Sequence, residues 1–189
     1  DMGLARLADA ALTILAISAG VVGGLLIGGT GLPLTATTDA IPLWLDVLAA
    51  AVLAMCYPVY FSMPIRTFGW AFLAGGLAHA AHWVALTWWH WNAPASSLLA
   101  CLVVSGLLTP VCRSRHIPFA GAGFAAVVAL VPGVYLFRAA AGTLNLVGEA
   151  HTETVLEATA SDLATAVVIV LAMAVGLVVP HRIWIHLAR

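Results

Sequence analysis

Charged residues are scarce in this chain of 189 residues. Lysine is absent, the seven basic residues are all arginine, and charged residues make up only 8% of the sequence. A water-soluble domain usually carries about a quarter charged residues to cover its surface. Apolar residues account for 63%, so the exterior must be largely apolar, and lipid is the solvent that accepts such an exterior. The composition excludes an ordinary soluble domain and indicates a membrane protein.

Several chemical motifs are missing as well. The three cysteines show no CxxC spacing, so neither a disulfide framework nor a zinc site is indicated. The sequence has no GxSxG, HExxH, P-loop or GxGxxG motif. We therefore expect no enzyme, no metal and no cofactor. A net charge of −1 argues against a nucleic-acid partner.

Six apolar segments approach the roughly 20 residues that a helix needs to cross a bilayer. They are 7–29, 41–61, 68–88, 96–111, 118–137 and 163–179. Pro132 and Gly133 interrupt the fifth, which is either a kinked span, the reading we favour, or a re-entrant pair of half-helices. The sequence therefore predicts an all-α, polytopic membrane helix bundle of about six transmembrane segments, the fifth broken at Pro-Gly.

The arginines predict the orientation of the bundle. With a cytoplasmic amino terminus, every arginine except Arg138 falls on the cytoplasmic side, which is the positive-inside pattern. The residues that obey it are Arg6, Arg66, Arg113, Arg115, Arg182 and Arg189. The opposite loops are predicted at 30–40, 89–95 and 139–161. Trp44, Trp88, Trp89 and Trp91 mark the outer interface in this interpretation.

Ionisable residues inside a span are costly, so they are candidates for function. His79 and His82 lie about one turn apart on one face of segment three. Because imidazole titrates near physiological pH, they are candidates for proton coupling or substrate contact. The alternative is a pair of interhelical hydrogen bonds that only hold the bundle together.

Asp46, one turn inside segment two, and Arg138, at the end of segment five, are predicted at the same outer level. They form either an ion pair or a polar vestibule in which Arg138 meets the carboxylate of a small solute. Asp162 opens segment six, where a carboxylate suits a helix N-terminus.

Small residues recur at every fourth position of segment one, at Gly20, Gly24 and Gly28. This spacing lets two helix backbones approach closely in a membrane. It predicts tight packing against another helix, including one from a partner.

Two stretches resemble a known family. The run 127–138 contains Leu-Val-Pro-Gly with Arg138 five residues after the glycine, and it resembles the carboxy-terminal membrane domain of the threonine/serine exporter family. The run 57–66 is similar to the aromatic-rich helix end of that domain, before a Pro-x-Arg turn. A small-residue helix with Gly75-Gly76 follows in the expected place. The resemblance covers about 41–180.

The resemblance implies proton-driven export of small hydroxy amino acids across a bacterial cytoplasmic membrane. It also implies two cooperating membrane domains. Residues 1–35 would then be a leading transmembrane helix, similar to the last helix of the preceding domain, and 36–189 the exporter-like domain. In this hypothesis the solute path contains Pro132, Gly133, Arg138 and Asp46, and proton coupling uses His79 and His82.

Two other functions remain open. One is export of a small dicarboxylate, with Arg138 as the charge partner. The other is a membrane assembly module that transports nothing and whose glycine-rich faces dock a partner. The expected partners are the lipid bilayer, a small amino-acid substrate, a second membrane domain or subunit, and a further copy of the chain in a homo-oligomer.

The charge pattern predicts that both chain ends face the cytoplasm. In a cysteine-free background, an impermeant thiol reagent added to intact cells should label a cysteine at position 153 and not one at position 189. Labelling at 189 without labelling at 153 would refute this orientation.

Overall fold

The computed structural model describes residues 2–28, 42–147 and 153–187. Every regular element in these ranges is helical. The elements are α1 (Met2–Ile27), α2 (Leu43–Tyr60), a 3-10 turn (Ile65–Thr67), α3 (Phe68–Thr87), α4 (Ala93–Arg115), α5 (Phe119–Val127), a second 3-10 turn (Val128–Leu130), α6 (Gly133–Val147) and α7 (Glu153–Leu187). The all-helical prediction is confirmed.

Local chemistry explains where α4 begins and ends. The side chain of Asn92 caps its first turn by accepting a hydrogen bond from the backbone N–H of Ala95 at 3.0 Å. Pro94 lies in that first turn, where its missing N–H costs nothing. At the other end His116 adopts a left-handed conformation, with φ of 53°, and stops the helix. This helix is longer at both ends than the predicted segment 96–111.

Within the described residues, three helices are long and apolar enough to cross a membrane: Leu43–Tyr60, Ala93–Arg115 and Glu153–Trp184. A fourth crossing is added if Phe119–Leu130 and Gly133–Thr143, on either side of Val131 and Pro132, are counted as one span. The chain is thus a helical membrane protein.

The predicted outer loop 139–161 is wrong over most of its length. α6 continues to Val147 and α7 already begins at Glu153. Three consecutive alanines after Arg138 are buried, so burial favours continuing the helix. Glu153 in the first turn of α7 suits the positive end of the helix dipole. The outer loop predicted at 30–40 lies outside the described residues.

The chain forms two compact units. Unit 1 comprises 1–38 and 132–167, and unit 2 comprises 39–131 and 168–189. The domain boundary predicted between 35 and 36 lies outside the described residues.

In unit 1, α6 packs against α1 and against the first half of α7. Gly142 of α6 lies so close to Thr159 of α7 that a Cβ atom would collide with the threonine hydroxyl. No described atom lies within 4 Å of a Cβ built on Gly20 or Gly24, and Gly28 is exposed. Packing of these three glycines against another helix therefore stays a prediction.

In unit 2, the contacts between helices fix the direction of each. Gly75 and Gly76 of α3 lie against Ala54 and Ala51 of α2, respectively. Since His79 also meets Asp46 of α2, these two helices are antiparallel. Along α4 and α7, Cys101 lies beside Gly176, Ser105 bonds to Leu177, and Thr109 meets His181. Because the residue numbers increase in the same direction along α4 and α7, these two helices are parallel.

The four arginines of unit 2 that lie in the described residues share one end, which we call the arginine end. Arg66 lies in the turn before α3, Arg113 and Arg115 end α4, and Arg182 follows His181 near the end of α7. The start of α5 lies here too, since Phe119 stacks on His181. The opposite end, called the tryptophan end, carries four exposed indoles: Trp44, Trp88, Trp89 and Trp91.

The α2–α3 contact depends on glycine at position 75. A Cβ there would overlap the Ala54 side chain and lie 3.2 Å from the backbone oxygen of Ala50. Gly75→Ala should therefore destabilise the protein by about 1–3 kcal/mol, the usual cost of overpacking. Gly69→Ala, on the same helix, is the matched control because no described atom outside the neighbouring helix backbone lies within 4 Å of a Cβ built there. Thermal unfolding in detergent measures both, and equal unfolding temperatures would contradict the prediction.

Candidate functional site

A carboxylate and an imidazole meet near the tryptophan end of unit 2. Nδ1 of His79, on α3, lies 3.1 Å from Oδ2 of Asp46, on α2. The His79 side chain is 11% exposed and that of Asp46 28%. Sequence analysis placed Asp46 on the solute path and His79 in proton coupling, and the structure brings these two side chains together.

His82 extends this polar group toward α4. Its ring centroid is 6.3 Å from that of His79, and the backbone of Ser96, in the first turn of α4, lies close enough to interact with it. Nε2 of His79 and Nδ1 of His82 are buried, and neither has a hydrogen-bond partner within the described part of the chain. A buried polar atom without a partner is costly, so both nitrogens are available to a bound solute, a water molecule or a proton.

Packing explains why these residues meet. The glycine pair of α3 lies against the alanines of α2, so the two backbones run close together. Asp46 is in the first turn of α2 and His79 is one turn beyond Gly75, on the face that α3 turns toward α2. The helix spacing in the sequence predicted the two histidines on one face, but it could not select their partner.

Arg138 has a partner that the sequence did not suggest. Its Nε lies 3.1 Å from Oδ2 of Asp162, and both residues belong to unit 1. Asp162 is buried, about ten residues inside α7. The prediction that it opens a helix is therefore wrong, because α7 begins at Glu153. The carboxylate of Asp162 instead neutralises the guanidinium of Arg138. The helix dipole does not explain the position of Asp162.

Pro132 and Gly133 lie where α6 begins. Pro132 is buried, and its carbonyl accepts the backbone hydrogen bond of Leu136 at 3.1 Å. A Cβ on Gly133 would meet only the Phe137 ring, at 3.8 Å, which is an ordinary contact. Packing at this position therefore does not require a glycine.

Among the described residues, no three His, Cys, Asp or Glu side chains come close enough together to hold a metal ion. Two ionisable pairs, Asp46–His79 and Arg138–Asp162, instead lie within apolar helices. Ionisable pairs of this kind in membrane helices are typical of proteins that move ions and solutes.

Comparison with protein families also indicates a transporter. Residues 46–183 match the family model described as "Threonine/Serine exporter, ThrE". The chain therefore belongs to the threonine/serine exporter family, a family of transporters, and the resemblance seen in the sequence is confirmed. No solved structure matches the chain.

The ion pair between Arg138 and Asp162 should stabilise unit 1. Asp162→Asn removes the negative charge next to a partly buried guanidinium, and it should cost about 1–3 kcal/mol. Glu157→Gln is the matched control, since Glu157 is exposed on the same helix. Thermal unfolding of both variants in detergent measures the difference. An Asp162→Asn protein as stable as the control would show that the pair contributes nothing.

Proposed function

We propose that this chain is a multi-pass membrane domain of a proton-coupled exporter of threonine and serine in the bacterial cytoplasmic membrane. Membership of the family supports the solute class and the direction of transport. The observation that carries the coupling is the contact between Asp46 and His79, with two further imidazole nitrogens left open beside it.

The proposed chemistry is a competition for one carboxylate. Asp46 can pair either with a protonated His79 or with the ammonium group of an amino acid, because both carry one positive charge and N–H donors. A proton that arrives from outside charges His79, which then takes the carboxylate and displaces the amino acid outward. When His79 loses the proton toward the cytoplasm, Asp46 is again free to bind an ammonium group.

We infer that α5 and α6 together form one broken span and not a re-entrant loop. Phe119–Leu130 and Gly133–Thr143 are together long and apolar enough to cross a membrane, with a bend of 59° between them. The positive-inside pattern supports the crossing, because re-entry would move Arg182 to the side opposite the other cytoplasmic arginines. Together with α1 (26 residues) and α3 (20 residues), both long enough to cross, this gives the proposed six spans.

Pro132, Gly133 and Arg138 are proposed to border the solute path at this break. A helix start leaves backbone N–H groups without intrahelical partners, and transporters use such groups to bind substrates. Asp162 holds the Arg138 side chain in one orientation and already neutralises it. That pairing favours a zwitterionic amino acid over a dicarboxylate, which would need the full charge of the guanidinium.

A second membrane domain or subunit is the proposed partner of α1. The exposed glycines of that helix leave a face on which another helix can approach closely. A second copy of this chain is the alternative occupant of the same face.

Transport by the complete protein in proteoliposomes tests the proposed coupling. Asp46→Asn should lower threonine counterflow about tenfold or more, because the ammonium group loses its charged partner. His79→Gln should keep counterflow and lose export driven by a pH gradient, because glutamine cannot take up the proton. Gln can still donate a hydrogen bond to Asp46, so the variant should fold.

His186→Gln is the matched control, since His186 is exposed at the end of α7. It should retain both activities. Gradient-driven export by His79→Gln at the wild-type rate would refute the coupling, and absence of threonine and serine flux in the wild-type protein would refute the proposed function.

A further inference from the structure

A cavity with several polar side chains in its lining lies at the arginine end of unit 2, far from Asp46 and His79. Its volume is about 400 Å³. The side chains that give it chemical character come from three helices: Thr109 and Arg113 from α4, Phe119 from α5, and His181 and Trp184 from α7. Ser96, beside His82, and Thr109 lie on the same helix, thirteen residues and so about 20 Å apart. The cavity is therefore separate from the site that contains Asp46, His79 and His82.

Two contacts hold the imidazole of His181 in one orientation. Its Nδ1 lies 3.2 Å from the hydroxyl oxygen of Thr109. The Phe119 ring stacks on its face, with the centroids 3.8 Å apart and the planes 6° from parallel. Thr109 and Phe119 are thereby joined through His181, so the three helices meet at one wall of the cavity.

The lining of the cavity suits a small molecule that carries a carboxylate. Arg113 supplies a permanent positive charge with planar donors that match a carboxylate. The hydroxyl group of Thr109 and the imidazole of His181 can each donate or accept a hydrogen bond. Phe119 and Trp184 supply apolar walls. A cavity of this size is within the usual range for small-molecule sites.

The position of the cavity indicates the side from which a ligand arrives. The four described arginines of unit 2 gather at this end, which the positive-inside rule assigns to the cytoplasm. A solute that is to be exported reaches the protein from that side. The Asp46–His79 pair is near the opposite end, where the solute would leave.

We propose that this cavity is the cytoplasmic loading site of the exporter, in which Arg113 binds the carboxylate of a small amino acid before the solute moves toward Asp46. The inference rests on the proposed function. Arg113 binds the anionic group of the solute at one end of the bundle, and Asp46 binds its cationic group at the other.

Sided transport assays on the complete exporter test this assignment. Radiolabelled threonine is supplied to oriented proteoliposomes, either on the arginine side or on the opposite side, and KM is measured for each. Arg113→Gln should raise KM on the arginine side about tenfold, since the carboxylate loses its charged partner. Arg113→Lys should raise KM on the arginine side by a smaller factor than Arg113→Gln, because lysine keeps the charge but loses the planar set of donors. Neither change should alter KM on the opposite side comparably.

Arg115→Gln is the matched control, because Arg115 lies on the same turn of α4 but does not line the cavity. Equal KM values on the arginine side for Arg113→Gln and Arg115→Gln would overturn the loading site while the export function stands. An Arg113 effect that occurs only in vesicles with phosphatidylglycerol, and not in phosphatidylcholine alone, would assign the cavity to a lipid phosphate and also overturn it. A wild-type protein that transports neither threonine nor serine would overturn both proposals.

Discussion

The contact between Asp46 and His79 is the interaction on which the functional account depends. A carboxylate among apolar helices is tolerated only with a partner, and here the partner is an imidazole, which can take up or release a proton. The pair can therefore exist in two states without any change of fold. In the proposed function, a change in one proton alters which cation the carboxylate prefers, and that difference is what a coupled transporter requires.

This interaction in turn depends on close packing of small residues. His79 reaches Asp46 because Gly75 and Gly76 let α3 lie directly on the alanines of α2. Gly176 plays the same part between α7 and α4, where a Cβ would come within 2.6 Å of Cys101 and 2.9 Å of the Leu98 carbonyl. This close approach, continued along the two parallel helices, brings His181 to Thr109. Small residues thus position both polar sites of unit 2.

Much of the fold could be predicted from the sequence, because hydropathy and helix punctuation act locally. Apolar runs located α2 and α3 to within a few residues, and arginine placement predicted a shared end for Arg66, Arg113 and Arg182. The pairing of side chains could not be predicted in the same way. Whether Arg138 meets Asp46 or Asp162 depends on which helices pack together. The start of α7 was predicted too late in the sequence because the first turns of this helix are polar. Thr109 and His181 are too far apart in sequence, and too ordinary individually, to signal a cavity.

Proton release on substrate binding tests the central claim most directly. Threonine is added to the purified exporter in weakly buffered solution with a pH indicator, at a series of starting pH values. If the ammonium group of threonine competes with protonated His79 for Asp46, the wild-type protein releases protons on binding. The His79→Gln protein then binds threonine with no such release. Equal proton release by the two proteins, or none by the wild type while it binds threonine, would contradict the account.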